Sequence, residues 1–244
     1  SVLGPQRFRI GDTEILLYYG KPSPYNVAQE IYIDMIPVTD YITSGVWQII
    51  LNPTRVVEGQ YDLWLPSENV LNRGTGFLYP DEEVTLTIPS TAEKVISVGA
   101  YDALTFSYAP FSGRGYTWQD ERTKPDLVAP GVNVRTAAVG GGMTTVSGTS
   151  FATPFVTGAS ALLMEWGIVR GNDPFLYGEK VKAYLRRGAR KLPGISEYPN
   201  PMVGYGALCV RDSLPGKPSD VYRDKMVYKI YVGAPGQPTA TNLE

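Results

Sequence analysis

Thr145-Val146-Ser147-Gly148-Thr149-Ser150-Phe151-Ala152-Thr153-Pro154 sets a serine just past a glycine-containing turn, at the head of a long apolar run. After the turn come the small residues Ala152, Gly158, Ala159, Ser160 and Ala161, with Val156, Leu162, Leu163 and Trp166 supplying apolar bulk. This pattern predicts a helix over about residues 150–166, slim enough to lie close against a sheet. Pro154 is compatible with it, because an N–H missing from the first turn costs no helical hydrogen bond. A serine placed here has two readings. It is an N-cap by the ordinary preference of helix starts, or a nucleophile set among the unpaired N–H groups of a helix N-terminus.

Outward from that stretch, residues 132–138 and 143–147 flank Gly140-Gly141-Gly142 and predict a β-hairpin. The glycines lack a following lysine, so they form a turn and not a phosphate cradle. Lys94-Val95-Ile96-Ser97-Val98-Gly99-Ala100 is nearly all apolar and β-branched without clean alternation, as in a strand covered on both faces in a parallel sheet. Residues 177–187 predict a second, amphipathic helix.

Residues 1 to about 88 have another character. Runs at 14–19, 30–35, 46–51, 61–65 and 84–88 are separated by proline- and glycine-rich turns. They predict five short strands of a jelly-roll β-sandwich. Residues 226–232 predict one more strand before a Gly/Pro/Thr tail. The expected organisation is a partial jelly roll over 1–88, an α/β segment over 89–214, and a strand and tail over 215–244.

Composition narrows the function classes. The chain has 244 residues, 43% of them apolar, ample for a packed core. A net charge of −2 gives no basic footprint, so no nucleic-acid partner is expected. Lys180-Val181-Lys182 and the run Arg186-Arg187-Gly188-Ala189-Arg190-Lys191 read as solvated helix faces. The single Cys209 excludes an internal disulfide and, in an apolar run, reads as a buried structural thiol. No uninterrupted apolar run reaches the length of a membrane span, and no leader peptide is legible. Asp102, Asp120, Glu121 and Asp126 lack calcium-loop spacing and read as turn residues; no metal or cofactor is implied. Asp12, Asp34 and Asp62 lie in the β-rich segment and are not candidate catalytic acids, while Tyr32, Trp47 and Trp64 read as strand packing. Histidine is absent from the chain.

Four further stretches lie in register with the serine. They are Val95-Ile96-Ser97-Val98-Gly99-Ala100-Tyr101-Asp102, Ala109-Pro110-Phe111-Ser112-Gly113-Arg114-Gly115, Lys124-Pro125-Asp126-Leu127-Val128-Ala129-Pro130-Gly131 and Val203-Gly204-Tyr205-Gly206-Ala207-Leu208. Together, over about residues 89–213, they resemble the subtilisin-like serine peptidases, the subtilases. The resemblance implies that Ser150 is a nucleophile forming an acyl-enzyme, that its N–H is one oxyanion donor, and that Gly148 and Thr149 form the supporting turn. Phe151 departs from the methionine that many relatives carry. Asn133 is not placed like the family's oxyanion asparagine.

The β-rich segment ahead of residues 87–102 is similar to that of the clostridial spore-germination, Csp-type, subtilases. In those a jelly roll is inserted after the strand bearing the oxyanion asparagine. That implies an α/β subtilisin-like fold, the C-terminal half of a three-layer parallel-sheet domain, with an all-β jelly-roll-like insert on its N-terminal side. The catalytic aspartate, histidine and asparagine are then expected upstream of Ser1, and this chain alone is expected to be inactive and to have open sheet edges. The implied partners are a protein or peptide substrate and the missing N-terminal half. A cortex-lytic proenzyme is the implied substrate, with a secreted or spore-associated location. Two other classes stay open: a pseudoprotease that senses or scaffolds, and a binding module in which the jelly roll recognises a partner or glycan.

Overall fold

The computed structural model describes residues 4–22, 24, 29–53, 55–56, 59, 61–66, 70–115 and 123–215. The chain divides into two compact units, Ser1–Ser67 and Glu68–Glu244.

The first unit is built on an antiparallel meander of β1 (Gly4–Ile10), β2 (Thr13–Gly20) and β3 (Glu30–Pro37). The register sets Phe8 opposite Ile15 and Ile15 opposite Met35. Because side chains alternate along a strand, this gathers Phe8, Ile15, Leu17, Ile33 and Met35 on one face and Arg7, Arg9, Glu14 and Asp34 on the other. Arg7 and Glu14 form an ion pair at 3.0 Å on the polar face. Thr13, fully buried, accepts the N–H of Thr43 at 2.8 Å and so ties the segment after β3 to the start of β2. Strand β1 escaped the sequence reading, although Arg7-Phe8-Arg9-Ile10 alternates cleanly.

The expected sandwich is not formed by the described residues. The runs at 46–51, 61–65 and 84–88 make no ladder, and Val46 and Ile50 are 81% and 72% exposed. The reason is that an alternating run becomes a strand only beside a neighbour that takes its N–H and C=O groups and covers its apolar face. Among its described residues the first unit has a single sheet. Tyr32, Trp47 and Trp64, expected as packing residues, are likewise exposed; Trp47 donates its indole N–H to the Thr43 carbonyl at 3.0 Å.

The second unit holds the α/β elements. Strands β4 (Val98–Asp102) and β6 (Leu127–Pro130) pair in parallel, Val98 opposite Leu127 through Tyr101 opposite Pro130, and β5 (Ser107–Tyr108) lies antiparallel on the other edge of β4. The free edge of β6 is taken by residues 206–208: Val128 donates to the Gly206 carbonyl at 2.9 Å, and Leu208 donates back to Val128 at 2.8 Å. A hairpin of β7 (Val134–Ala137) and β8 (Met143–Val146) follows, with Gly140, Gly141 and Gly142 all at positive φ at its tip.

Helix α1 (Thr149–Met164) lies on this sheet. Its Ala152, Val156, Ala159 and Leu163 share one buried cluster with Ala100, Leu127 and Ala129 of the strands and with Val181 and Leu185 of α2 (Gly178–Gly188). The small residues at 152 and 159 permit the close approach foreseen in the sequence. A π-helical turn, Glu165–Val169, extends α1 to 21 residues with mean hydropathy 1.2, long and apolar enough by composition to cross a membrane. Its packing on β4 and β6 makes it a core helix of this unit. Outside that stripe, Phe155, Leu162 and Ile168 are exposed.

Two expectations about charge are corrected. Asp126 is not a surface turn residue but fully buried, and Lys182 and Arg186 are not on a solvated face. One Asp126 oxygen accepts the Ser97 N–H at 2.6 Å and the Lys124 ammonium at 3.2 Å. The other accepts the Arg186 guanidinium, Nε at 2.8 Å, and pairs with Lys182 at 3.2 Å. Both ammonium groups also donate to the Val95 carbonyl, at 2.8 and 2.9 Å. Lys182 and Arg186 are four apart on α2 and so share a face; that face meets β6 instead of water. Burial pushes the Lys124 ammonium below its ordinary pKa, against the pull of Asp126.

The last described helix, α3 (Val210–Ser213), is tethered by the Asp212–Arg190 pair at 2.8 Å. The hydrogen bond from Arg190 holds the Asp212 carboxyl below its ordinary pKa. A carboxylate with a lowered folded pKa contributes stability above its unfolded value of about 3.9, and that contribution fades as pH falls through the folded value. Asp212→Asn is therefore expected to lower the melting temperature at neutral pH. The gap from wild type should shrink below about pH 4; a constant gap would contradict the coupling. The expected strand at 226–232, the tail, Asp120 and Glu121 lie outside the described residues.

Candidate active site

The strand-to-helix turn carrying Ser150 is shaped by Gly148. Its backbone, at φ 150 and ψ 156, forms the N-cap of α1 in a conformation that residues with a Cβ rarely adopt. Its carbonyl accepts the N–H groups of Phe151 and Ala152 at 3.1 and 3.3 Å. No side chain caps the helix. Ser150 is thus the second residue of the helix and not its cap. It is exposed, and among the described residues neither its Oγ nor its N–H has a hydrogen-bond partner. A free hydroxyl beside free first-turn donors can present a nucleophilic oxygen and hold a developing negative charge.

The turn is clasped from the corner that follows β6. Gly148 donates its N–H to the Gly131 carbonyl at 2.8 Å, and Gly131 donates its own to Tyr101 on β4 at 3.0 Å. Two residues on, Asn133, at φ 52, donates its backbone N–H to the Ser147 hydroxyl at 2.9 Å. Pairing of β7 with β8 begins immediately beyond, Val134 opposite Val146. This clasp was not foreseen. Its only trace in the sequence is the glycine closing Ala129-Pro130-Gly131.

Among the described residues, no hydrogen bond joins Ser150 to the other candidates. Asp102 accepts the Leu104 N–H at 2.8 Å, as a turn residue does, and Asp12 pairs with Arg9 beside the β1–β2 turn. Cys209, half-buried at the start of α3, has its thiol pushed up by burial, in keeping with a structural role. An open depression of about 670 Å³ is lined by residues 71–78 and by none of the residues around Ser150. Among the described residues no cluster of histidine, cysteine, aspartate or glutamate could hold a metal ion. The chain has no histidine, and among the described residues no hydrogen bond joins Ser150 to a basic group.

Comparison with known proteins identifies the family. Residues 78–206 match the Peptidase_S8 subtilase family. Serine protease AprX of Bacillus subtilis (strain 168) is 35% identical over 158 residues, covering 57% of this chain and 33% of that protein. The human membrane-bound transcription factor site-1 protease is 37% identical over 129 residues, covering 51% of this chain and 12% of the relative. Among solved structures, the Clostridium perfringens CspB protease superposes with a TM-score of 0.77 at 44% identity, over 87% of this chain and 44% of that one. The chain therefore spans less than half the length of each of these relatives.

Proposed function

Because the chain belongs to the subtilase family, of the Csp type, we propose that it is the C-terminal part of a serine endopeptidase with Ser150 as nucleophile. The observation that carries this reading is the unpartnered hydroxyl and N–H of Ser150 on the first turn of α1, within the residues that match the family. The Ser150 Oγ attacks the peptide carbonyl and its proton passes to a histidine base. The tetrahedral oxyanion is held by the Ser150 N–H and an asparagine side chain. Collapse releases the amine and leaves an acyl-enzyme that water hydrolyses.

The histidine, its aspartate and the asparagine belong to a segment preceding Ser1. Loss of the histidine alone costs a subtilisin roughly 10⁶ in kcat, so the chain by itself is expected to be inactive. Two features support such a preceding segment: the exposed apolar residues of α1, and the exposed apolar runs around Val46 and Ile50. The CspB superposition covers more residues than the second unit holds and so reaches into residues 1–67. This supports reading the first unit as part of a jelly-roll insert completed by that segment. By the sequence resemblance to the Csp-type subtilases, the proposed substrate is a cortex-lytic proenzyme cut during spore germination, in a secreted or spore-associated setting.

Expression of residues 1–244 alone is expected to give insoluble protein or none with a cooperative melt. Co-expression with the preceding half should give a soluble complex that hydrolyses a fluorogenic peptide. A soluble 1–244 monomer that melts cooperatively would contradict the division, and a folded complex without hydrolysis would contradict the peptidase.

A further inference from the structure

We infer that Ser147 and Gly131 are positioning residues for the nucleophile, fixing the orientation of the Ser150 N–H and Oγ through Gly148. The inference rests on the peptidase reading and names what aims its serine. The Oγ and N–H of Ser150 are themselves unanchored: the residue is exposed, and neither group has a hydrogen-bond partner among the described residues. Its position is therefore inherited from the chain before it. That chain has two anchors, the Gly148 N–H on the Gly131 carbonyl at 2.8 Å and the Ser147 Oγ on the Asn133 N–H at 2.9 Å. Both anchors belong to one corner, residues 131–133, which is in turn fixed to β4 by the Gly131 N–H on Tyr101 at 3.0 Å.

The corner has no slack at Gly131. A Cβ there would sit 2.6 Å from the Ala100 Cβ, 3.1 Å from the Gly148 carbonyl oxygen and 3.4 Å from the Ala152 Cβ. Any side chain must push apart β4 and the start of α1, shifting Gly148 and with it the Ser150 amide. Ser147 acts differently. It is exposed, so its hydroxyl adds little burial, and its visible role is the bond to Asn133. Donors help an oxyanion only if aimed in advance at where charge develops, and a misplacement of about 1 Å costs roughly a hundredfold.

The test uses the intact peptidase with a fluorogenic peptide. Ser147→Ala is expected to lower kcat about tenfold with KM and melting temperature unchanged, short of the 10²- to 10³-fold loss of an oxyanion donor outright. Ser147→Thr, which keeps the hydroxyl, should restore most of the rate. Gly131→Ala should lower kcat further; should it fail to fold, the serine pair decides alone. Wild-type kcat in Ser147→Ala, or a melting temperature that falls in step with the rate, would overturn the inference. A wild-type protein that folds but hydrolyses nothing would instead remove the peptidase reading on which it stands.

Discussion

Ser150→Ala in the intact peptidase should reduce kcat by about a millionfold while leaving KM and stability nearly unchanged. The magnitude follows from the cooperation of serine, histidine and aspartate: in a subtilisin, losing the serine alone costs about as much as losing all three. What survives is the part of catalysis owed to binding and oxyanion donors. The lack of a stability effect follows from the structure. Ser150 is exposed, it is not the N-cap of α1, and its hydroxyl makes no hydrogen bond among the described residues. Deleting it removes no packing, and alanine is the best helix former. A fall of more than about 1 kcal/mol in stability would show that the hydroxyl has a structural partner. Retention of more than a few per cent of kcat would show that another group attacks.

Asp126→Ala is the second large effect, and it falls on stability. The carboxylate is fully buried with Lys124, Lys182 and Arg186 on it. Removing it leaves three cations converging with no countercharge, and breaking a buried pair in this way costs about 3 to 5 kcal/mol. Against a typical domain stability of about 5 to 15 kcal/mol, that is a third or more of the total. The loss should appear in the denaturant midpoint. Lys124→Met should cost much less, since burial already disfavours the charge on Lys124 and Asp126 keeps two other cationic partners. Similar losses in the two variants would contradict the central role given to Asp126.

The contrast between the two units explains what the sequence could convey. Helix α1, its small-residue face, the β7–β8 hairpin and strand β4 were legible because the residues that satisfy them lie within the same chain, whereas β6, the parallel partner of β4, was not read as a strand. The runs at 46–51 and 61–65 carry an equally clear alternation yet form no strands. Alternation records only the suitability of a segment for a sheet, and among the described residues no neighbouring strand pairs with these runs. Strand β1 was missed for the converse reason: a short run opening on Gly4-Pro5 looks like a turn until β2 pairs with it. The burial of Asp126 was hidden because a charged residue between prolines and apolar residues signals a turn, while its cationic partners Lys182 and Arg186 lie far along the chain. At the candidate site, Ser150, Gly148 and Thr149 stood out in the sequence. The clasp from Gly131 and Asn133 did not, since it is a product of how β6 meets β7.

The most direct measurement is reaction of the intact protein with a fluorophosphonate, followed by digestion and mass mapping of the modified peptide. The adduct should fall on Ser150, with loss of peptidase activity in proportion to labelling and no labelling of Ser150→Ala. A folded, full-length protein that stays unmodified, or an adduct mapped to a different serine, would contradict the assignment of the nucleophile.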